Sequence, residues 1–238
     1  MTDTAVAAAF DIQCPAPETA DTFCISDHTL EDLLRTAPAQ GTVLDVGCSG
    51  WVLPRLAASV GREDLRHIGA DLTPTPPPGV PPGVEYRPIP SDGAPICEAI
   101  ADLTVSRHSL EHSTQPLGLF AALMQATKHG GLIYVEAPSE LSCRPNSADD
   151  PRAHGFDCFW DDPTHVRPWP PAALYRLAIG FGATPLQCGR MTRWAIPCAA
   201  IVAQKTHADK NYRYVTLGTT PFGVEAAMQD VWNVSGTS

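Results

Sequence analysis

The run Val43-Leu44-Asp45-Val46-Gly47-Cys48-Ser49-Gly50 limits what this chain can fold into more than any other stretch. It reads as a short apolar strand that ends near an acid and enters a turn of small residues. Behind the turn, 52–59 carry apolar residues at helical spacing. Gly61 closes that segment, and Pro54 is tolerated in its first helical turn. Strand, small-residue turn and helix together make a binding corner. A ligand can approach the backbone closely there and meet the unpaired N–H groups of a helix start.

Similar punctuation recurs along the chain. The pattern predicts a helix over 26–36, with Thr29 and Asp32 in a capping arrangement and Leu30, Leu33 and Leu34 on one face. Strands are expected at 42–46, 67–71, 84–86, 101–106, 132–135, 184–188 and 198–204. Helices are expected at 117–128, ended by Gly130-Gly131, and at 172–179, stopped by Gly180 and Gly182. Short apolar strands alternating with helices give an α/β class: a Rossmann-like, doubly wound, seven-stranded and mostly parallel sheet with helices on both faces. Ligands of such sheets sit beyond the carboxyl ends of the strands. Asp45, Asp71, the Ser106-Arg107-His108 run and the Glu136-Ala137-Pro138 run all fall at such ends.

Composition narrows the function classes. The net charge of −10, with no Lys/Arg cluster, argues against a nucleic-acid partner. No apolar run approaches the roughly 18 residues that span a membrane. The first ten residues lack the positive start of a signal peptide, which leads to an expected cytoplasmic location with reduced thiols for the 8 cysteines. Prolines crowd 74–82 and 163–171 as rigid connectors. The expected organisation is a flexible arm at 1–25, a main domain at 26–205 with a substrate-covering insertion at 137–169, and an extension at 206–238. A helix at 222–231 in that extension would cover a sheet edge or a subunit interface, so a homodimer is one possible arrangement.

With these segments in order, the chain resembles the class I S-adenosylmethionine-dependent methyltransferases over about 41–204. Val43–Gly50 looks like the family's first motif, and His67-Ile68-Gly69-Ala70-Asp71 like its second strand with a terminal acid. The 102–112 segment, Asp-Leu-Thr-Val-Ser-Arg-His-Ser-Leu-Glu-His, is close to the strand-four signature. The 128–138 segment looks like the Gly-Gly turn into strand five. The 161–169 segment, Asp-Asp-Pro-Thr-His-Val-Arg-Pro-Trp, resembles a late motif of a bacterial subgroup that often modifies sugars or other small metabolites.

The resemblance implies S-adenosylmethionine as cofactor. Asp45, Gly47, Cys48 and Ser49 would hold its methionine end, and Asp71, with Leu72 beside it, the ribose. Ser106 and Arg107 would flank the transferred methyl. An acceptor-only carboxylate such as Asp71 suits two ribose hydroxyls. Two departures stand out. Trp51 occupies the family's third glycine place, so either the turn shifts to use Gly50 or the indole walls the pocket. The adenine-binding acid falls near Pro90, and Asp92 would have to replace it.

His165 is a candidate general base, and Arg167 a candidate anchor for an acidic substrate; both also fit structural bonding to Asp162. His108 is a further candidate at the pocket, whereas His112 reads as structural. His108, Glu111 and His112 do not follow the zinc-binding His-Glu-x-x-His order, and His154, Asp157 and Cys158 match no standard spacing, so no metal is expected. The expected activity is methyl transfer to a small polar metabolite, with oxygen as the acceptor. The alternatives are aminocarboxypropyl transfer or cyclisation, and a non-catalytic module in which Trp51 fills the pocket.

Overall fold

The computed structural model describes residues 25–26, 28–143, 158–193 and 196–206. Its elements run α1 (Thr29–Thr36), β1 (Thr42–Val46), α2 (Val52–Ser59), β2 (Arg66–Asp71), β3 (Glu85–Pro88), β4 (Ala101–Arg107), α3 (Pro116–Ala126), β5 (Thr127–Pro138), α4 (Pro171–Gly180), β6 (Ala183–Arg193) and β7 (Ile196–Lys205). Two short 3-10 turns, Glu140–Cys143 and Phe159–Asp161, lie between β5 and α4. The seven strands form one sheet in the order β3-β2-β1-β4-β5-β7-β6. All pairs are parallel except those of β7, which runs antiparallel to both β5 and β6. The doubly wound sheet expected from the sequence is present.

The strand order reverses between β1 and β4. The chain winds outward from β1 to β3, then returns to β1's other edge. Val46 therefore sits opposite Ala70 on one side and Ser106 on the other. The carboxyl ends of three strands border one crevice, where α/β sheets bind ligands.

Side-chain alternation along the strands builds two cores. Leu44, Val46, Ile68, Ile133 and Val135 pack with Phe120, Leu123 and Leu174 of α3 and α4. Val43, Leu103, Val105, Tyr134 and Val202 pack with Leu30 and Leu34 of α1 and with Leu53 and Ala57 of α2. Fully buried faces explain why these strands read as nearly continuous apolar runs.

Two details differ from the sequence reading. Gly130-Gly131 does not end α3. That helix stops at Ala126, where Thr127 turns its hydroxyl back onto the Leu123 carbonyl at 2.7 Å. The glycines lie inside β5 beside an irregularity in the β4 pairing, and a Cβ on Gly131 would come within 3.1 Å of the Ala101 carbonyl. The outer strands are also longer than expected, because β6 and β7 form an extended antiparallel pair. The proposed arm, the 222–231 helix, and His154, Phe156 and Asp157 lie outside the described residues.

Lys205 closes the far end of the fold. It is 1% exposed, and its ammonium donates to the Met124 carbonyl at 2.8 Å and the Thr127 carbonyl at 2.9 Å, at the end of α3. These carbonyls carry the negative end of the helix dipole. Lys205→Met should strand both acceptors and lower stability by about 2 kcal/mol, or roughly 4–8 °C in a thermal melt. An unchanged melting temperature would remove this role.

Candidate functional site

The turn after β1 is shaped by one glycine. Gly47 has φ +84°, and its N–H donates to the Ala70 carbonyl at 2.8 Å. A Cβ there would fall 2.0 Å from the Ser109 hydroxyl, which bonds the Val46 and Arg107 carbonyls at 3.2 Å each. Gly47 therefore supplies both the left-handed backbone and the space that lets the β4 loop close over the turn.

Trp51 takes a position that the sequence reading did not foresee. It precedes α2 in a left-handed conformation, with φ +49°, and is 3% exposed. Its indole N–H donates to the Pro77 carbonyl at 3.2 Å, and its ring meets Tyr86 edge-on. A Cβ on Gly69 would lie only 2.5 Å from the indole. The ring thus packs on β2 and is not part of the cavity wall. Gly50 keeps an ordinary backbone, so neither of the two anticipated solutions is used.

A cavity of about 340 Å³ opens at the strand ends. One part of its wall is Gly47, Ser49, Asp71, Leu72 and Ile89; another is His108, Ser109, His112 and Ser113. Asp92 also lines it, but its carboxylate holds the start of α3. It accepts from the Ser113 hydroxyl (2.7 Å), the Thr114 N–H (2.7 Å) and hydroxyl (2.9 Å), and the Gln115 N–H (3.0 Å). Burial works against that carboxylate's charge, yet these bonds hold it below the usual range. Asp45 and Cys48 lie beneath the turn. Burial raises Asp45 to about 7; Arg107 opposes this and Asp71 adds to it. The Cys48 thiol is pushed up to about 12 by burial and by those two acids, leaving it inert.

His108 has φ +49° and stands between two fully buried acids. Its Nδ1 lies 3.3 Å from Glu111 and its Nε2 3.1 Å from Glu136, which also accepts from the Tyr134 hydroxyl. Burial acts to lower the His108 pKa, but Cys198 and the two acids outweigh it and push it up to about 11. A cation held this way is a structural charge, not a general base poised near neutrality.

The profile of a methyltransferase-domain family matches residues 19–187. The chain belongs to that family. Its fold is shared by the Burkholderia thailandensis 1,6-didemethyltoxoflavin N1-methyltransferase, solved with S-adenosylhomocysteine bound: TM-score 0.52, 18% identity, 76% of this chain and 80% of that one. An S-adenosylmethionine-dependent methyltransferase from Mesorhizobium loti is similar too: TM-score 0.54, 17% identity, 73% of this chain and 95% of that one. No functionally curated protein is close enough in sequence to count as a relative.

This methyltransferase domain fits its cofactor, S-adenosylmethionine, on its own geometry. The Gly47 turn lets a ligand lie against the backbone, and Asp71 offers a carboxylate in the wall. Ile89, Leu72 and Leu119 give apolar surface for a purine. Ser106 Oγ and Arg107 Nε are buried at the end of β4 without a hydrogen-bond partner among the described residues, and neither residue is part of the cavity wall.

The 158–169 loop of the methyltransferase places His165 and Arg167 differently. His165 is half-buried, stacked 4.3 Å from Phe159 and 4.7 Å from the His112 ring. Neither His165 nor Arg167 lines the cavity; Arg167 is exposed over Trp169 at 5.7 Å. Asp162 turns back on Thr164, whose N–H and hydroxyl bond its Oδ1 at 2.8 and 2.6 Å. His112 is the residue that sequence reasoning undervalued. It reaches the cavity because 108–112 form a turn after β4.

Two measurements test these assignments. His108→Ala leaves two buried acids uncompensated and should destabilise the protein by about 3–5 kcal/mol in urea unfolding; a loss of activity at full stability would contradict this. Asp45, raised from 3.8 to about 7 in the folded state, binds its proton more tightly folded than unfolded. Stability of the ligand-free protein should therefore fall between about pH 4 and pH 7, by on the order of 4 kcal/mol, and then level off. Asp45→Asn should lack that component. A wild-type-minus-variant difference that stays flat with pH would show Asp45 to be an ordinary carboxylate.

Proposed function

We propose that the protein transfers the methyl group of S-adenosylmethionine to an oxygen of a small polar metabolite. One observation carries this reading: a single cavity of about 340 Å³ combines a wall suited to the cofactor with a wall of imidazole and hydroxyl groups. The net charge of −10 speaks against a nucleic-acid acceptor. Among the described residues, no helix is long and apolar enough to cross a membrane. The six described cysteines are free, in keeping with a reducing cytoplasmic setting.

When bound, the cofactor supplies a methyl on a sulfonium, already a good leaving group. The protein's task is then alignment and exclusion of water. In this reading the backbone around Gly47 and Ser49, with Cys48 behind it, holds the methionine end, and Asp45 beneath it answers the ammonium group. Asp71 accepts from the ribose hydroxyls while Leu72 and Ile89 cover the purine. Asp92, occupied in capping α3, fixes the wall there. Ser106 and Arg107 flank the methyl. His112 meets the acceptor directly, with His165 packed behind it; Arg167, exposed beyond, is available to an acidic substrate at the rim. His108 holds the wall in shape. Trp51 lies outside the cavity, so the feature that would have favoured a non-catalytic module is missing.

Mass spectrometry of host extract incubated with S-adenosylmethionine, with and without the enzyme, tests the reading. S-adenosylhomocysteine and a product heavier by one CH2 should appear together in equal amounts. Methylthioadenosine would replace methyl transfer by aminocarboxypropyl chemistry, and calorimetry without any binding would remove the enzymatic reading.

A further inference from the structure

We infer that Glu111, His112 and His165 form a site for one divalent transition-metal ion of the Zn2+ type, at the edge of the cavity where His112 enters its wall. Each residue offers a ligand atom within 4.8 Å of the others. The ligands come from two segments. Glu111 and His112 lie in the turn after β4, and His165 in the loop that follows Phe159–Asp161. The Val166 N–H bonds the Glu111 carbonyl at 2.7 Å and fastens the two together. The order of residues along one segment, the basis for expecting no metal, does not show a set drawn from two segments.

Proton placement decides what these groups present. His165 Nδ1 is 2.6 Å from the Phe159 carbonyl. A carbonyl only accepts, so Nδ1 carries the proton and neutral His165 keeps its lone pair on Nε2. The Thr164 hydroxyl is 2.6 Å from the Asp162 carboxylate, also an acceptor, and donates to it. Its oxygen therefore accepts from His112 Nδ1 at 2.8 Å, which leaves the His112 lone pair on Nε2 as well. Glu111 is fully buried. Its Oε1 stands 3.3 Å from His108, and Oε2 has no hydrogen-bond partner among the described residues. Asp162 Oδ2, at 3.8 Å from His165 Nε2, is too far to bond it.

Apart from His108, which faces Glu111 Oε1, the described residues place no donor between these three acceptors, an arrangement that a cation satisfies. Both rings are held through Nδ1 by a carbonyl or a hydroxyl, the usual support of a metal-bound imidazole. Two imidazoles and one carboxylate suit Zn2+ or a similar ion, not Mg2+ or Ca2+, and three protein ligands leave a position open. Since His112 lines the cavity, a hydroxyl bound there lies close enough to take that position. An acceptor hydroxyl bound there loses its proton to solvent more readily. Its oxygen electron pair forms the new O–CH3 bond as the S–CH3 bond breaks, with that bond's electrons remaining on sulfur. This last role rests on the methyl-transfer reading; binding of the ion does not.

The test uses the full chain stripped with chelator, titrated with Zn2+ by calorimetry and with Co2+ by absorption. One ion should bind per chain. His112→Ala and His165→Ala, each checked by thermal melt, should weaken binding by roughly tenfold or more, while Cys198→Ala leaves it unchanged. No binding by the wild-type chain, undiminished binding in both histidine variants, or loss only in Cys198→Ala would overturn the site. None of these readouts uses methyl transfer. S-adenosylhomocysteine binding measured on the same samples separates failure of the metal site from failure of the cofactor reading.

Discussion

A buried imidazolium between two buried carboxylates holds the working end of this protein together. His108 bridges Glu111, in the turn after β4, and Glu136, on β5, and both acids are fully buried. Removing such charges from water is costly unless they neutralise one another at short range. The backbone supports the bridge: the His108 N–H donates to the Glu136 carbonyl at 2.9 Å, and the residue takes a left-handed conformation that turns the chain sharply off the strand. The direction of everything from Ser109 to Ser113 follows from that turn.

Both halves of the cavity depend on this short segment. Ser109 reaches back to close over the Gly47 turn. Three residues on, His112 enters the cavity wall, and Ser113 joins Asp92 at the start of α3. The two parts of the cavity wall are therefore two faces of one turn. A loop of this length with few internal bonds would ordinarily be mobile; here its ends are fixed by charge and by hydrogen bonds to three separate elements.

Much of this was legible from residue order. Alternating short strands and helices, and acids placed at strand ends, gave the sheet and located Asp71 and the Gly47 turn in the wall that they occupy. Contacts between distant segments were less visible. Asp92 looked like a ligand for adenine because only its distance along the chain could be read; its four bonds to the start of α3 depend on the loop folding back. Gly130-Gly131 carried the composition of a helix stop but serves an irregularity in β5, since close approach to β4 demands the same residue. His112 looked structural because residue order does not show where the turn after β4 sets it down, which is in the cavity wall. Tertiary packing, not local propensity, decided all three.

Trp51 and Gly69 form a complementary pair across the α2–β2 contact. The large ring stands at the start of α2, and the side chain that would oppose it is missing on β2. One residue fills the volume that the other leaves free. A chain arranged this way can drift only by exchanging both residues together, so the identity at position 69 carries as much information about how the cofactor turn is braced as the glycine motif itself.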